Sequence, residues 1–182
     1  CGKSSILEET DMLTIYGNAR SRATRCVWVL NELGIEYEHI ALDHVTGENK
    51  TLEYLALNAS GKVPTLVDGD VVMSESLAIN LYLARKYDNG LWPSSEADRA
   101  RAEQWTLWAA TEAEPYTVTI AIERIFKPQD MRNEAKARAA EEALHRRVRR
   151  ARNASSAVRA RRRVQQRSDR ATLSPGCGSA VQ

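Results

Sequence analysis

The stretch from Gly61 to Ser76 constrains this chain more tightly than any other. It reads Gly61-Lys62-Val63-Pro64-Thr65-Leu66, then Asp68-Gly69, then Ser74-Glu75-Ser76 ahead of a new apolar run. An extended segment entering a Val-Pro bond leaves backbone N–H and C=O groups facing outward, because proline brings no N–H to a sheet ladder. Asp-Gly between two short β-prone runs is a tight hairpin turn. A helix N-terminus just beyond offers amide donors to a carboxylate. The stretch therefore predicts strand, hairpin and helix in close succession, with a turn suited to a small, acidic, peptide-like ligand.

The residues before it follow one scheme. Residues 12–16, with β-branched and aromatic residues among them, read as a strand, and Gly17-Asn18 turns the chain. Ala23, Val27, Leu30 and Leu33 recur at helical spacing, with Gly34 placed for a C-terminal cap. Residues 37–42 form a second short strand, and residues 49–57 a short helix with Leu52, Leu55 and Ala56 turned inward. After the hairpin of residues 65–67 and 71–73, residues 76–87 close the domain as a helix with Leu77, Leu81 and Ala84 inward. A parallel strand pair joined by a crossover helix, with an antiparallel hairpin at the edge, is an α/β layer. Residues 89–95 read as a linker that ends on Ser95 as a helix cap. Residues 96–126 form a long helix kinked at Pro115, and residues 131–144 a second helix.

Charge divides the chain more sharply than its net value of +2 suggests. Residues 1–144 hold 15 Lys and Arg against 23 Asp and Glu, a balance of −8, whereas residues 145–182 hold 11 Arg against one Asp, a balance of +10. The latter segment has no aromatic residue and a single Leu, too little apolar surface to offset the entropy of ordering, so disorder is expected beyond about Asn153. No run approaches the roughly 20 apolar residues of a membrane helix. Residues 1–11 are polar and acidic rather than signal-like, and are read as a disordered extension. Cys1, Cys26 and Cys177 show no metal or redox spacing; a reducing, cytoplasmic setting and no metal are expected.

The stretch of residues 12–142 resembles the cytosolic glutathione transferases, and its serine-type, theta-like bacterial branch in particular. The resemblance rests on Gly61-Lys62-Val63-Pro64-Thr65, the Asp68-Gly69 hairpin, Glu75-Ser76 and the turn Ala19-Arg20-Ser21-Arg22-Ala23-Thr24-Arg25. It implies a thioredoxin-like α/β domain over residues 12–88 and an all-α domain, incomplete here, over 95–150; the Arg-rich tail over 151–182 departs from the family pattern. It further implies a cis Val63-Pro64 bond, with the valine backbone pairing with the cysteinyl part of glutathione. Glu75 and Ser76 receive the γ-glutamyl end, and Lys62 and Asn49 stand near the glycyl carboxylate, with Asn49 replacing a histidine found in some relatives. Glutathione is then the co-substrate, a small electrophile its acceptor, and the working form a homodimer.

Conjugation needs the thiolate. A free thiol of pKa about 8.5 is only about 3% ionised at pH 7. One hydrogen bond to the charged form, worth roughly 1.5–3 kcal/mol, lowers that pKa by about one to two units. Ser21, between the first strand and the first helix, is the expected donor; its plainer role is a helix cap. Tyr16 is the rival donor, with packing as its plainer role. Cys26 falls inside the helix and reads as a buried structural cysteine. Two readings of another class remain: a transferase-like binding module without catalysis, and nucleic-acid binding through the Arg-rich tail. The abrupt change near residue 144 is itself read as an out-of-frame continuation, and the missing helical wall predicts weak turnover.

Overall fold

A computed structural model describes residues 12–43, 45–87 and 89–172. The expected disorder of residues 1–11 and of the last ten residues lies outside the described residues. The chain divides into two compact units, residues 1–104 and 105–182.

In the first unit, β1 (Thr14–Tyr16), β2 (Glu38–Ile40), β3 (Thr65–Asp68) and β4 (Val71–Ser74) form one sheet in the order β2-β1-β3-β4. β1 pairs in parallel with β2, while β3 runs antiparallel to both β1 and β4. The parallel pair is joined through α1 (Ala23–Leu33), and α3 (Ser76–Lys86) follows the hairpin. Gly34 ends α1 at φ 67°, ψ 29°, and its N–H returns to the carbonyls of Asn31 and Leu30. Only glycine adopts that left-handed cap without cost.

Ile15 and Leu66 from the sheet, Cys26 and Leu30 from α1, and Ile79 and Leu83 from α3 make a fully buried core. Truncating any of its leucines to alanine costs about 2–5 kcal/mol in a site of this kind. These are the parts of a thioredoxin-like domain, as expected. The inward face of α3 differs from expectation, because Ile79 and Leu83 are buried and Leu77 and Leu81 only half so. Burial of Ser76 at the first position fixes the helical phase, and residues 76, 79 and 83 then share the inner face.

The second helix differs more. Residues 48–50 form a 3₁₀ turn, Thr51 is extended and caps α2 (Leu52–Leu57) by accepting from the Tyr54 N–H, and the buried residue is Tyr54. Leu52 is 84% exposed and Ala56 is exposed as well. The break at Thr51 resets the phase that a continuous helix from residue 49 would have had.

Asp68, the last residue of β3, accepts from Lys86 Nζ at 2.7 Å, Tyr82 Oη at 2.8 Å and Tyr87 Oη at 3.1 Å. Burial pushes its carboxyl up, and the hydrogen bonds from Lys86, Tyr82 and Tyr87 outweigh it, leaving the group below the ordinary aspartate range. The hairpin is thus fastened to the end of α3.

α4 (Glu96–Trp108) begins at a cap in which Ser95 Oγ accepts from the Asp98 N–H, as expected of Ser95. The kink expected at Pro115 takes the form of a π-helical stretch, Ala109–Ala113, before α5 (Glu114–Ala121). A proline lacks the N–H of the regular ladder and crowds the carbonyl four residues earlier, and the wider turn relieves both.

A second π stretch, Ile122–Phe126, precedes α6 (Glu134–Thr172), whose start is capped by Asn133 Oδ1 accepting from the Lys136 N–H. In this second unit Glu123 is 1% exposed, bonded by Lys127 Nζ at 2.8 Å, Lys136 Nζ at 3.2 Å and the Asn133 N–H at 3.2 Å. α6 continues to Thr172, past the point near residue 150 where the sequence suggested that helical order ends. Arg and Ala are among the best helix formers, so local propensity favours a helix even where large apolar residues are scarce. Among the described residues, no helix is long and apolar enough to cross a membrane.

Candidate functional site

The site is built where β1 ends. Gly17 follows Tyr16 at φ +132°, donating its N–H to the Ile40 carbonyl at 2.9 Å and accepting from His39 Nε2 at 2.6 Å. An ideal Cβ on Gly17 would stand 2.7 Å from Ala23 Cβ, 3.1 Å from Val63 Cβ and 3.3 Å from Ser21 Oγ. The Ser21 hydroxyl and the Val63 side chain therefore both lie beside the open side of Gly17, although they stand 42 positions apart in the sequence.

Ser21 Oγ donates to the Asn18 carbonyl at 2.8 Å and accepts from the Ala23 N–H at 3.1 Å. The hydroxyl has one proton, so the capping role fills the geometry. Donation to a sulfur requires that proton to swing away from Asn18. Tyr16 is half-buried, with its ring centroid 5.9 Å from that of Tyr54. Cys26 is fully buried, its thiol 3.6 Å from the Ser76 carbonyl, and burial pushes its pKa up to about 12. That thiol stays protonated and has no nucleophilic role at neutral pH.

Val63–Pro64 is cis. The turn before it is held from α2: the Lys62 carbonyl accepts from Tyr54 Oη at 2.6 Å and from Asn58 Nδ2 at 2.8 Å. Both groups also reach Thr65 Oγ1, at 2.8 and 3.0 Å, and Thr65 is fully buried. Burial raises the Tyr54 phenol above its ordinary pKa, which keeps it a neutral donor. One residue earlier, the Gly61 carbonyl accepts from Asn49 Nδ2 at 2.6 Å and Lys50 Nζ at 3.0 Å. Asn49 is 6% exposed, and its Oδ1 is buried without a hydrogen-bond partner. The side chain of Lys62 is exposed.

Glu75 lies between β4 and α3 at φ 72°, ψ 102°, the one described non-glycine residue at positive φ. Such a conformation costs about 1–3 kcal/mol and gathers at ligand-binding turns. Ser76, 3% exposed, opens α3, and its Oγ accepts from an Arg25 guanidinium nitrogen at 3.3 Å.

Of the residues singled out from sequence, Ser21 and Val63 meet at Gly17, and Asn49 meets the backbone next to Lys62. Sequence reasoning missed Tyr54, Asn58, Lys50 and Arg25, whose partners are backbone or hydroxyl oxygens that no periodicity reveals. Among the described residues, no group of three or more His, Cys, Asp or Glu is gathered to hold a metal ion.

Comparison with known proteins agrees with this geometry. The family "Glutathione S-transferase, N-terminal domain" matches residues 12–85. Glutathione S-transferase F10 of Arabidopsis thaliana is 36% identical over 120 residues, which are 64% of this chain and 56% of that protein. Glutathione S-transferase 3 of Zea mays is 37% identical over 120 residues, 64% of this chain and 54% of that protein. The chain thus spans little more than half the length of these relatives. The theta class glutathione S-transferase of Xanthomonas axonopodis pv. citri, solved with glutathione bound, superposes with a TM-score of 0.72 at 33% identity. That superposition covers 79% of this chain and 70% of the other. With the cis turn, the Glu75–Ser76 elbow and the sheet order already in place, this likeness identifies the chain as a member of the glutathione S-transferase family.

Proposed function

We propose that the chain binds glutathione on its first unit and conjugates the intact tripeptide, through its thiolate, to a small electrophile, in the manner of the serine-type transferases. The observation that carries this reading is the convergence of Ser21 and Val63 on Gly17, which sets a hydroxyl beside the cis turn. The Val63 backbone pairs with the cysteinyl residue, and Glu75 and Ser76 take the γ-glutamyl end. Lys50, already resting on the Gly61 carbonyl beside Asn49, supplies positive charge for the glycyl carboxylate together with Lys62.

Ser21 turns its proton from the Asn18 carbonyl to the sulfur. The exchange of one acceptor for a charged one favours the thiolate by about one to two pKa units. Tyr16 packs rather than donates. No metal takes part. The working form is a cytoplasmic homodimer. The Arg-rich segment beyond residue 144 is poor in the large apolar residues that would wall an electrophile pocket, so turnover by this chain is slow. Its Arg-, Ala- and Ser-rich composition is read as an out-of-frame continuation.

Calorimetric titration with glutathione and a conjugation assay on Ser21→Ala test the proposal. The variant should retain glutathione binding and lose about 10- to 100-fold in turnover near pH 6.5, equivalent to about 1.4–2.7 kcal/mol. Its pH profile should move toward that of the free thiol. Wild-type turnover in the variant would remove Ser21 from the chemistry, and absence of glutathione binding in the native chain would refute the function.

A further inference from the structure

We infer that Arg25 is a positioning residue for the γ-glutamyl carboxylate, acting through the hydroxyl of Ser76; the inference rests on the glutathione reading of this site. A guanidinium only donates hydrogen bonds. Its 3.3 Å contact with Ser76 Oγ therefore occupies a lone pair of that oxygen, and the serine's own proton must point elsewhere. Ser76 sits at the first position of α3 with 3% exposure, so few directions remain open to it. A carboxylate lying against the start of α3 meets a hydroxyl held as a donor, with a permanent positive charge behind it.

The neighbouring residue strengthens the arrangement. Cys26 Sγ lies 3.6 Å from the Ser76 carbonyl, so consecutive residues of α1 grip the side chain and the main chain of the same serine. Ser21 stands just ahead of α1, its Oγ accepting from the N–H of Ala23, the first residue of that helix. Arg25 thus fixes the distance between the group that would meet the sulfur and the group that would meet the far carboxylate.

The test compares two ligands on the full chain. One is glutathione, and the other is 4-aminobutyryl-cysteinylglycine, which lacks only the α-carboxylate of the γ-glutamyl residue. Arg25→Met should weaken glutathione binding about tenfold, equivalent to about 1.4 kcal/mol, and change the affinity of the analogue by less than about twofold. Arg25→Lys, which keeps the charge without the planar fork, should lose less than Arg25→Met on glutathione and nothing on the analogue. In a Ser76→Ala background, adding Arg25→Lys should cost nothing further, because the intermediary is gone. Equal weakening of both ligands by Arg25→Met and Arg25→Lys would make the arginine a general structural support and overturn the inference. So would unchanged glutathione affinity. A native chain that binds neither ligand would instead refute the reading of the site itself, and the role of Arg25 with it.

Discussion

Gly17→Ala is the sharpest perturbation of the turn that gathers the site. The added Cβ would stand 2.7 Å from Ala23 Cβ and 3.1 Å from Val63 Cβ, against an optimum of about 3.5–4.0 Å for carbon atoms. Ala23 opens α1 and is fully buried, so neither atom is the free end of a flexible side chain. Overpacking of this kind costs about 1–3 kcal/mol. Backbone at φ +132° adds about 1–3 kcal/mol once the residue carries a side chain. The sum, about 2–6 kcal/mol, is a large part of the total stability of about 5–15 kcal/mol that a domain possesses.

Gly34→Ala provides the comparison, since it places a side chain at φ 67° with nothing within 4 Å. It should cost only the left-handed term, about 1–2 kcal/mol. Urea titration followed by circular dichroism reads both. With a slope of about 1–3 kcal/mol per molar urea, a loss of about 4 kcal/mol moves the midpoint down by about 1–4 M. If Gly17→Ala unfolds at the same urea concentration as Gly34→Ala, the turn dilates freely, and the claim that Gly17 holds Ser21 and Val63 together is refuted.

Tyr54→Phe removes the donor to the Lys62 carbonyl and the acceptor for Thr65, but Asn58 still reaches both oxygens. The expected loss is therefore about 1–1.5 kcal/mol of stability, with weaker glutathione binding by calorimetry; a loss beyond about 3 kcal/mol would mean that Asn58 does not substitute. Glu123 in the second unit is held down at a pKa of about 2, chiefly by the Lys127 hydrogen bond, with Lys136 and the Asn133 N–H adding to it. Because its folded pKa lies below the unfolded value of about 4.3, the stability it contributes is full above that value and is lost as pH falls toward about 2. Thermal melts between pH 5 and about 2 should show that loss in the native chain and less of it in Glu123→Gln; identical pH slopes would refute the assignment.

The fold was legible where residues announce themselves by backbone chemistry. Gly34 marked the end of α1, Asp68-Gly69 the hairpin, Ser95 the start of α4, and Val63-Pro64 the turn that leads into β3. Phase was harder. Leu52 looked like a core residue because a continuous helix from residue 49 was assumed, whereas Thr51 breaks it and Tyr54 takes the inner position. Leu77 and Leu81 misled for the same reason: a buried serine, not a leucine, sets the register of α3.

Ser21, Val63, Glu75 and Ser76 were singled out from local pattern, whereas the side chains that contact this region from elsewhere in the chain were not. Tyr54 and Asn58 act on a carbonyl, and Arg25 on a hydroxyl 51 residues away in sequence. Such partnerships depend on three-dimensional proximity and leave no mark on spacing. Nor did composition foresee α6 beyond residue 150, since a count of apolar residues measures packing and says nothing of the intrinsic helicity of Arg and Ala.

The fastening of Asp68 by three donors has a bearing on how this domain can vary. The grip falls one residue inside the exposed tip formed by Gly69 and Asp70, and it ties β3 directly to the far end of α3. Changes at the tip are thereby insulated from the elbow at Glu75 and Ser76, which lies at the opposite end of β4. The outer corner of the hairpin is free to diverge, or to accept foreign sequence, while the corner at Glu75 and Ser76 keeps its shape.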